Sequence, residues 1–188
     1  MNIWLTADTH FGHKAIIDHC GRPFKSEEEM NEAMIGNWNA VVAPKDTVWH
    51  LGDFSYRSKP EVYFDRLNGK ISLCLGNHDK PNLLRRLPFV EVCDTKYLRW
   101  EGERFFLSHY AHRVWRNSHR GTYHLYGHSH GQLPDYGRSM DVGVDAIARL
   151  TGGCYGPVRL SVVADYLRDR EYAVHHEGMA GVMHGREE

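Results

Sequence analysis

The sequence predicts an α/β layered domain, with helices outside and two packed sheets inside. Three observations carry this. Short apolar runs alternate with amphipathic helical stretches through the first half of the chain. Strand-like runs dominate the second half. With 188 residues, 41% of them hydrophobic and 25% charged, there is enough chain for one domain with a sizeable core.

The elements follow in order. Asn2–Ala7 (NIWLTA) is a short apolar run that ends at Asp8 and reads as a buried strand. Ser26 with Glu29 resembles a capping box. Behind it Met30, Ala33, Met34, Trp38 and Val41 recur at helical spacing, which predicts a helix from about Glu27 to Val42, stopped by Pro44. Thr47–Leu51 (TVWHL) is a second strand. Pro60–Leu67 is a short helix that Asn68-Gly69 terminates, and Ile71–Leu75 (ISLCL) is a third strand. Pro81–Leu87 predicts another short helix. Lys96–Trp100 and Arg104–Leu107 flank Glu101-Gly102 and read as a hairpin. Tyr123–Tyr126, Met140–Val144 and Val158–Leu160 are further strands. Ser161 caps a last helix, Val162–Arg170, with Val163, Tyr166 and Leu167 facing inward. No repeat or linker interrupts this pattern, so one domain is expected over residues 1–174. A loose tail is expected over 175–188, where apolar periodicity fades.

Composition narrows the function classes. Lys+Arg 23 against Asp+Glu 24 gives a formal charge of -1. A general nucleic-acid coat carries a basic field to displace counterions, so this balance argues against one while leaving room for a local basic patch. The four cysteines include no C-x-x-C pair, so neither a zinc ribbon nor a redox pair is predicted. They read as reduced, mostly buried thiols of a cytoplasmic protein. No signal-peptide pattern and no bilayer-length apolar run is present. Histidine is the outlier, with 14 residues.

The histidines gain meaning from position. Asp8 and His10 follow the first predicted strand, and Asp53 follows the second. Asn77, His78 and Asp79 follow the third. His109 follows the FFLS run, and His128 and His130 follow LYG. Ligands of α/β sheets gather at the carboxyl ends of strands. His, Asp and Asn donors delivered there suit Mn²⁺, Fe or Zn²⁺. Each residue alone has an ordinary explanation, such as a turn or a surface loop. Together, in one order and all at strand ends, they do not.

The series D-x-H, G-D, G-N-H-D, H, G-H-x-H resembles the calcineurin-like metallophosphoesterase family. It stands here as Asp8-Thr9-His10, Gly52-Asp53, Gly76-Asn77-His78-Asp79, His109 and Gly127-His128-Ser129-His130. The strings TADTHFGH, VWHLGDFS and VGVDA are similar to those of small single-domain bacterial or phage members. The resemblance implies a four-layer α/β/β/α sandwich with two mixed sheets and the metal site at the strand C-terminal ends. It implies two divalent metal ions, Mn²⁺ foremost, with Fe, Zn²⁺, Ni²⁺ or Co²⁺ as other candidates. By motif position Asp8, His10 and His130 would hold one ion, Asn77, His109 and His128 the other, and Asp53 would bridge.

The implied reaction is phosphoester hydrolysis by a metal-bridging hydroxide. His78, not a ligand in the family pattern, would contact a phosphate oxygen or protonate the leaving alkoxide. Asp79 would orient His78. Gly52–Tyr56 (GDFSY) matches a block of the purple acid phosphatases, whose tyrosine binds iron. Their first block lacks the histidine that His10 supplies, so Tyr56 is read as a packing residue. The G-D-x-V-D-R-G block of the serine/threonine phosphatases is absent.

For substrate contact, His13, His112, Arg113 and Arg116 are the candidates, with Arg120, Tyr110 and Trp115 in the same stretch and Arg22 as a weaker one. Guanidinium groups suit bidentate phosphate contact and aromatics can stack on a base. The chain is too short to carry a large cap, so a wide cleft and a phosphodiester of nucleotide or nucleic-acid type are expected. The alternatives are a phosphomonoesterase acting on a small phosphorylated metabolite, and a non-catalytic metal-binding scaffold. The remaining histidines, His50 and His124 among them, are assigned to structure or tail.

Overall fold

A computed structural model describes residues 1–56 and 59–173; the predicted tail lies outside the described residues. The element order is β1 (Ile3–Thr6), α1 (Ala15–Cys20), α2 (Glu27–Val41), β2 (Thr47–His50), α3 (Glu61–Phe64), β3 (Lys70–Cys74), α4 (Pro81–Leu84), β4 (Val92–Cys93), β5 (Thr95–Trp100) and β6 (Glu103–Ser108). It continues with a 3₁₀ turn (Ser118–Arg120), β7 (Tyr123–Tyr126), β8 (Ser139–Asp141), α5 (Val144–Thr151), β9 (Val158–Arg159) and α6 (Leu160–Leu167).

Two mixed sheets form, as expected. One has the order β4-β3-β2-β1-β9 and the other β5-β6-β7-β8. In the first, β1 to β4 are parallel and β9 runs against them. In the second, β5–β6 is the antiparallel hairpin, while β6, β7 and β8 are parallel. Glu101 (φ 47°) and Gly102 (φ 83°) make its two-residue turn, where positive φ at both positions matches strand twist. Because the parallel strands run the same way, the loops after β1, β2 and β3 open on one edge of their sheet.

The packing explains the apolar runs. Leu5, Trp49, Leu51, Phe105, Leu107, Tyr123 and Leu125 fill the core shared by the two sheets, with Val163 and Leu167 of α6. The other face of the first sheet receives Met30, Met34 and Ile35 of α2, and Trp38 packs with Trp4, Val48 and Ile71. The capping signal is real: the Glu29 N–H donates to Ser26 Oγ at 3.2 Å. Glu29 Oε2 accepts from the Lys25 N–H, one residue before the cap.

The outer face of the second sheet has a thinner cover than a sandwich of long helices would provide. There Trp115 and Ala173 pack on Phe106. His124 Nδ1–H donates to the Phe106 carbonyl, and Nε2 accepts from the His112 N–H at 2.8 Å.

Several expectations are corrected. Met140–Val144 is not one strand; β8 stops at Asp141 and α5 starts at Val144. Helix α5 has Gly143 at its N-cap, with no side-chain cap to announce it. Helix α1 was likewise not anticipated. The last helix begins at Leu160 without a Ser161 cap, and Tyr166 and Val41 face solvent.

The buried histidines give a pH prediction. Burial pushes His50 down to about 3 and His124 down to about 4. Below the ordinary value near 6.5, the unfolded chain takes up protons that the folded chain refuses. Stability is therefore full above that value and declines as pH falls toward 4, by roughly 1 kcal/mol per pH unit for each histidine. Melting temperature measured from pH 7 to pH 4.5 should fall, and His124→Gln should flatten the slope. An unchanged slope would mean His124 is protonated in the fold.

Candidate metal centre

The ligand-bearing loops fold as they do because short polar side chains tolerate left-handed backbone. Asp8 (φ 57°), His10 (φ 48°), Asp53 (φ 57°), His128 (φ 65°) and His130 (φ 48°) all lie in that region. Asp and His are among the residues that enter it most readily. Such geometry costs of order 1–3 kcal/mol per residue and clusters at functional sites. It turns His128 and His130 out of strand alternation, so both serve one end of the sheet. The glycines of the motifs leave space. A Cβ on Gly127 would stand 2.6 Å from Ala7 Cβ and 2.7 Å from Asp8 Oδ2. Gly127→Ala should cost about 1–3 kcal/mol by denaturant titration and displace Asp8 enough to cut turnover at least tenfold. Wild-type stability and rate would show that the backbone relaxes freely there.

Two groups of donors result. Asp8, His10 and His130 bring ligand atoms within 4.8 Å of one another, and so do Asp53, His109 and His128. Asn77 joins the second group: its Oδ1 lies 2.9 Å from His109 Nε2 and 2.9 Å from His128 Nδ1. The groups meet at Asp53, whose Oδ2 is 3.5 Å from both His10 Nε2 and His109 Nε2. The structure thus brings together all seven residues placed at strand ends as ligand candidates.

The donors fit cations. His109 Nδ1–H donates to the Leu51 carbonyl at 2.8 Å. Burial pushes this histidine down to about 4, so it is neutral and Nε2 carries a lone pair. That lone pair faces Asn77 Oδ1 and Asp53 Oδ2, a convergence of acceptors without a proton. Asp8 Oδ1 and His10 Nε2 are buried with no hydrogen-bond partner. Burial, then the neighbouring Asp141, pushes the Asp8 carboxyl well above its usual range. Burial also raises Asp53. Burial, then the charges on Arg22 and His130, drives His10 far below its ordinary value. Buried carboxyl oxygens and imidazole nitrogens that face one another without enough donors call for positive charge.

His78 is exposed at the rim, its backbone N–H donating to Asp53 Oδ1 at 2.8 Å. Asp79 has a different place from the one expected. Its carboxylate accepts from the N–H groups of Asp53, Phe54 and Gly76 at 2.8–2.9 Å, pinning the loops after β2 and β3 together. Its two oxygens thus serve three backbone donors, and no Asp79 bond to the His78 ring is seen among the described residues.

A cleft of about 660 Å³ opens over the donors, lined by His13, His19, His78, His128, Ser129 and Gln132 among others. His13 is in its wall and stacks on Tyr56, ring centroids 3.7 Å apart. The other substrate candidates lie elsewhere. His112 and Arg113 line a second cavity of about 230 Å³ that shares Leu133 with the cleft. Arg116 is over the Tyr97 ring at 5.8 Å, on the hairpin sheet. Arg22 is buried and internal, with no substrate-facing role. The chain turns away from the site after Tyr110, whose ring stays 4.7 Å from that of His128.

Sequence reasoning missed Asp145. His130 Nδ1 is 2.7 Å from Asp145 Oδ2. Burial opposes a charged His130, but the Asp145 bond, the Cys20 contact and the Asp8 charge together raise the imidazole to about 10. The only sequence signal was VGVDA, which carried no spacing rule.

The sequence pattern of the calcineurin-like phosphoesterase superfamily domain matches residues 1–142, and the chain belongs to that superfamily. Among its relatives, an uncharacterized protein of Methanocaldococcus jannaschii is 34% identical over 86% of this chain and 88% of its own length. The gene 66 protein of Mycobacterium phage L5 is 30% identical over 79% of this chain and 89% of its own. A crystal structure of a protein of unknown function from Aquifex aeolicus superposes with a TM-score of 0.68 at 23% identity. It covers 88% of this chain and 98% of its own, and shows the shared fold. No helix among the described residues is long and apolar enough to cross a membrane.

Proposed function

We propose that this protein is a two-metal phosphodiesterase acting on a nucleotide or nucleic-acid-like phosphodiester. The observation that carries the reading is the junction at Asp53 Oδ2, equidistant at 3.5 Å from a histidine of each donor group. Asp8, His10 and His130 would hold one ion and Asn77, His109 and His128 the other, with Asp53 spanning both. Two divalent cations held there, Mn²⁺ foremost, would supply Lewis acidity to a phosphoryl group and acidify the attacking water.

The chain's own groups do the rest. His109 is fixed by Leu51 and His130 by Asp145, so each presents Nε2 to the site. His78 stands exposed at the cleft rim, where it can protonate a leaving oxygen or bind a phosphate oxygen. His13, held by Tyr56, offers a second contact on the same wall. An open cleft admits a substituent on both sides of phosphorus, which favours a diester.

The test uses chelator-stripped protein, paired chromogenic phosphate monoester and diester substrates, and Mn²⁺ added back. Diester turnover that needs Mn²⁺ and vanishes in His128→Ala is expected. Turnover of the monoester alone would make the protein a phosphatase of small metabolites. Two bound ions without turnover of either would favour a binding scaffold.

A further inference from the structure

We propose that the buried Arg22–Asp145 pair is a positioning device for one ion site only, the site of Asp8, His10 and His130. This rests on the two-ion reading above.

The pair reaches both segments that carry that donor group, the Asp8–His10 turn and His130. Arg22 Nε and Nη2 donate to the Asp145 carboxylate at 2.9 and 2.8 Å. The same guanidinium donates to the Asp8 carbonyl at 2.7 Å and the Thr9 carbonyl at 3.1 Å. Those carbonyls belong to the turn that carries Asp8 and His10, both left-handed. Asp145 in turn takes Nδ1 of His130 at 2.7 Å, which leaves Nε2 for the site. None of these bonds reaches Asn77, His109 or His128.

Stability alone is a poor explanation. Arg22 is 4% exposed and Asp145 3%. A buried ion pair is costly to desolvate and can often be replaced by apolar residues without loss. This one holds strained backbone and an imidazole tautomer, two things apolar residues cannot hold. It also explains a third group of donors. Cys20, His130 and Asp145 approach within 4.8 Å, but a guanidinium 2.8 Å from Asp145 already fills the place of a cation. Arg22 follows the Gly21 that ends α1, and Asp145 opens α5, beyond the residues the family pattern matches.

The test is Mn²⁺ binding to the full chain, by calorimetry and by electron paramagnetic resonance. Wild type should bind two ions with a spin-coupled spectrum; fewer than two would defeat the two-ion reading itself. In Arg22→Met/Asp145→Leu, which removes both charges of the pair, one ion should keep its affinity. The other should weaken about 10–100-fold, and an isolated Mn²⁺ signal should replace the coupled one. Asp145→Asn, which keeps the volume, is read the same way should the double variant fail to fold. Two ions bound as in wild type would overturn the proposal. Equal weakening of both in a folded variant would overturn it too, since that is the mark of a general structural role.

Discussion

Asp53→Ala should reduce diester turnover by at least about 10³-fold and abolish loading of two ions together. The reason is that Asp53 is shared. Its Oδ2 is 3.5 Å from His10 Nε2 and from His109 Nε2. Its Oδ1 accepts the His78 N–H, and its own N–H donates to Asp79. Removing it uncouples the donor groups and frees the loop that carries Asn77 and His78. Loss of metal-based charge stabilisation is worth several kcal/mol, and each 1.36 kcal/mol is tenfold. Asp53→Asn separates charge from shape. It keeps the volume and an acceptor for His78, yet should still lose most activity. If Asp53→Asn retained two ions and a rate within tenfold of wild type, Asp53 would not bridge.

The second large effect is at His78. His78→Ala should lower kcat by about 10²–10⁴-fold while both ions remain bound, because no metal-facing bond is lost. The loss should depend on the leaving group. A nitrophenolate leaves with little help, so the chromogenic diester should suffer least. An alkoxide needs a proton, so an alkyl diester should suffer most. Equal losses on both would make His78 a phosphate contact, and wild-type turnover on both would remove it from the mechanism.

Much of this was legible in the chain itself. Strands β2, β3 and β7 fall within a residue or two of their expected bounds, because short apolar runs flanked by turn residues leave few other solutions. The hairpin at Glu101-Gly102 and the cap at Ser26 were local signals and were read locally. The strand-end residues stood out because parallel strands must deliver their following residues to one edge, and the family resemblance picked seven of them as ligand candidates.

What the chain did not disclose depends on contacts between distant segments. Helices α1 and α5 are short, and neither begins with a side-chain cap, so packing rather than propensity sets them. His112, Arg113 and Arg116 follow His109 closely in sequence, yet the chain leaves the site after Tyr110 and carries them to the outer face of the second sheet. Asp79 looked like a partner for its neighbour His78, but three backbone donors from elsewhere claim it. Arg22 and Asp145 are 123 residues apart. Sequence alone set the order in which the strands present their following His, Asp and Asn residues. Only tertiary structure decided which polar groups were buried together, because a buried carboxylate takes whichever donors the fold brings to it.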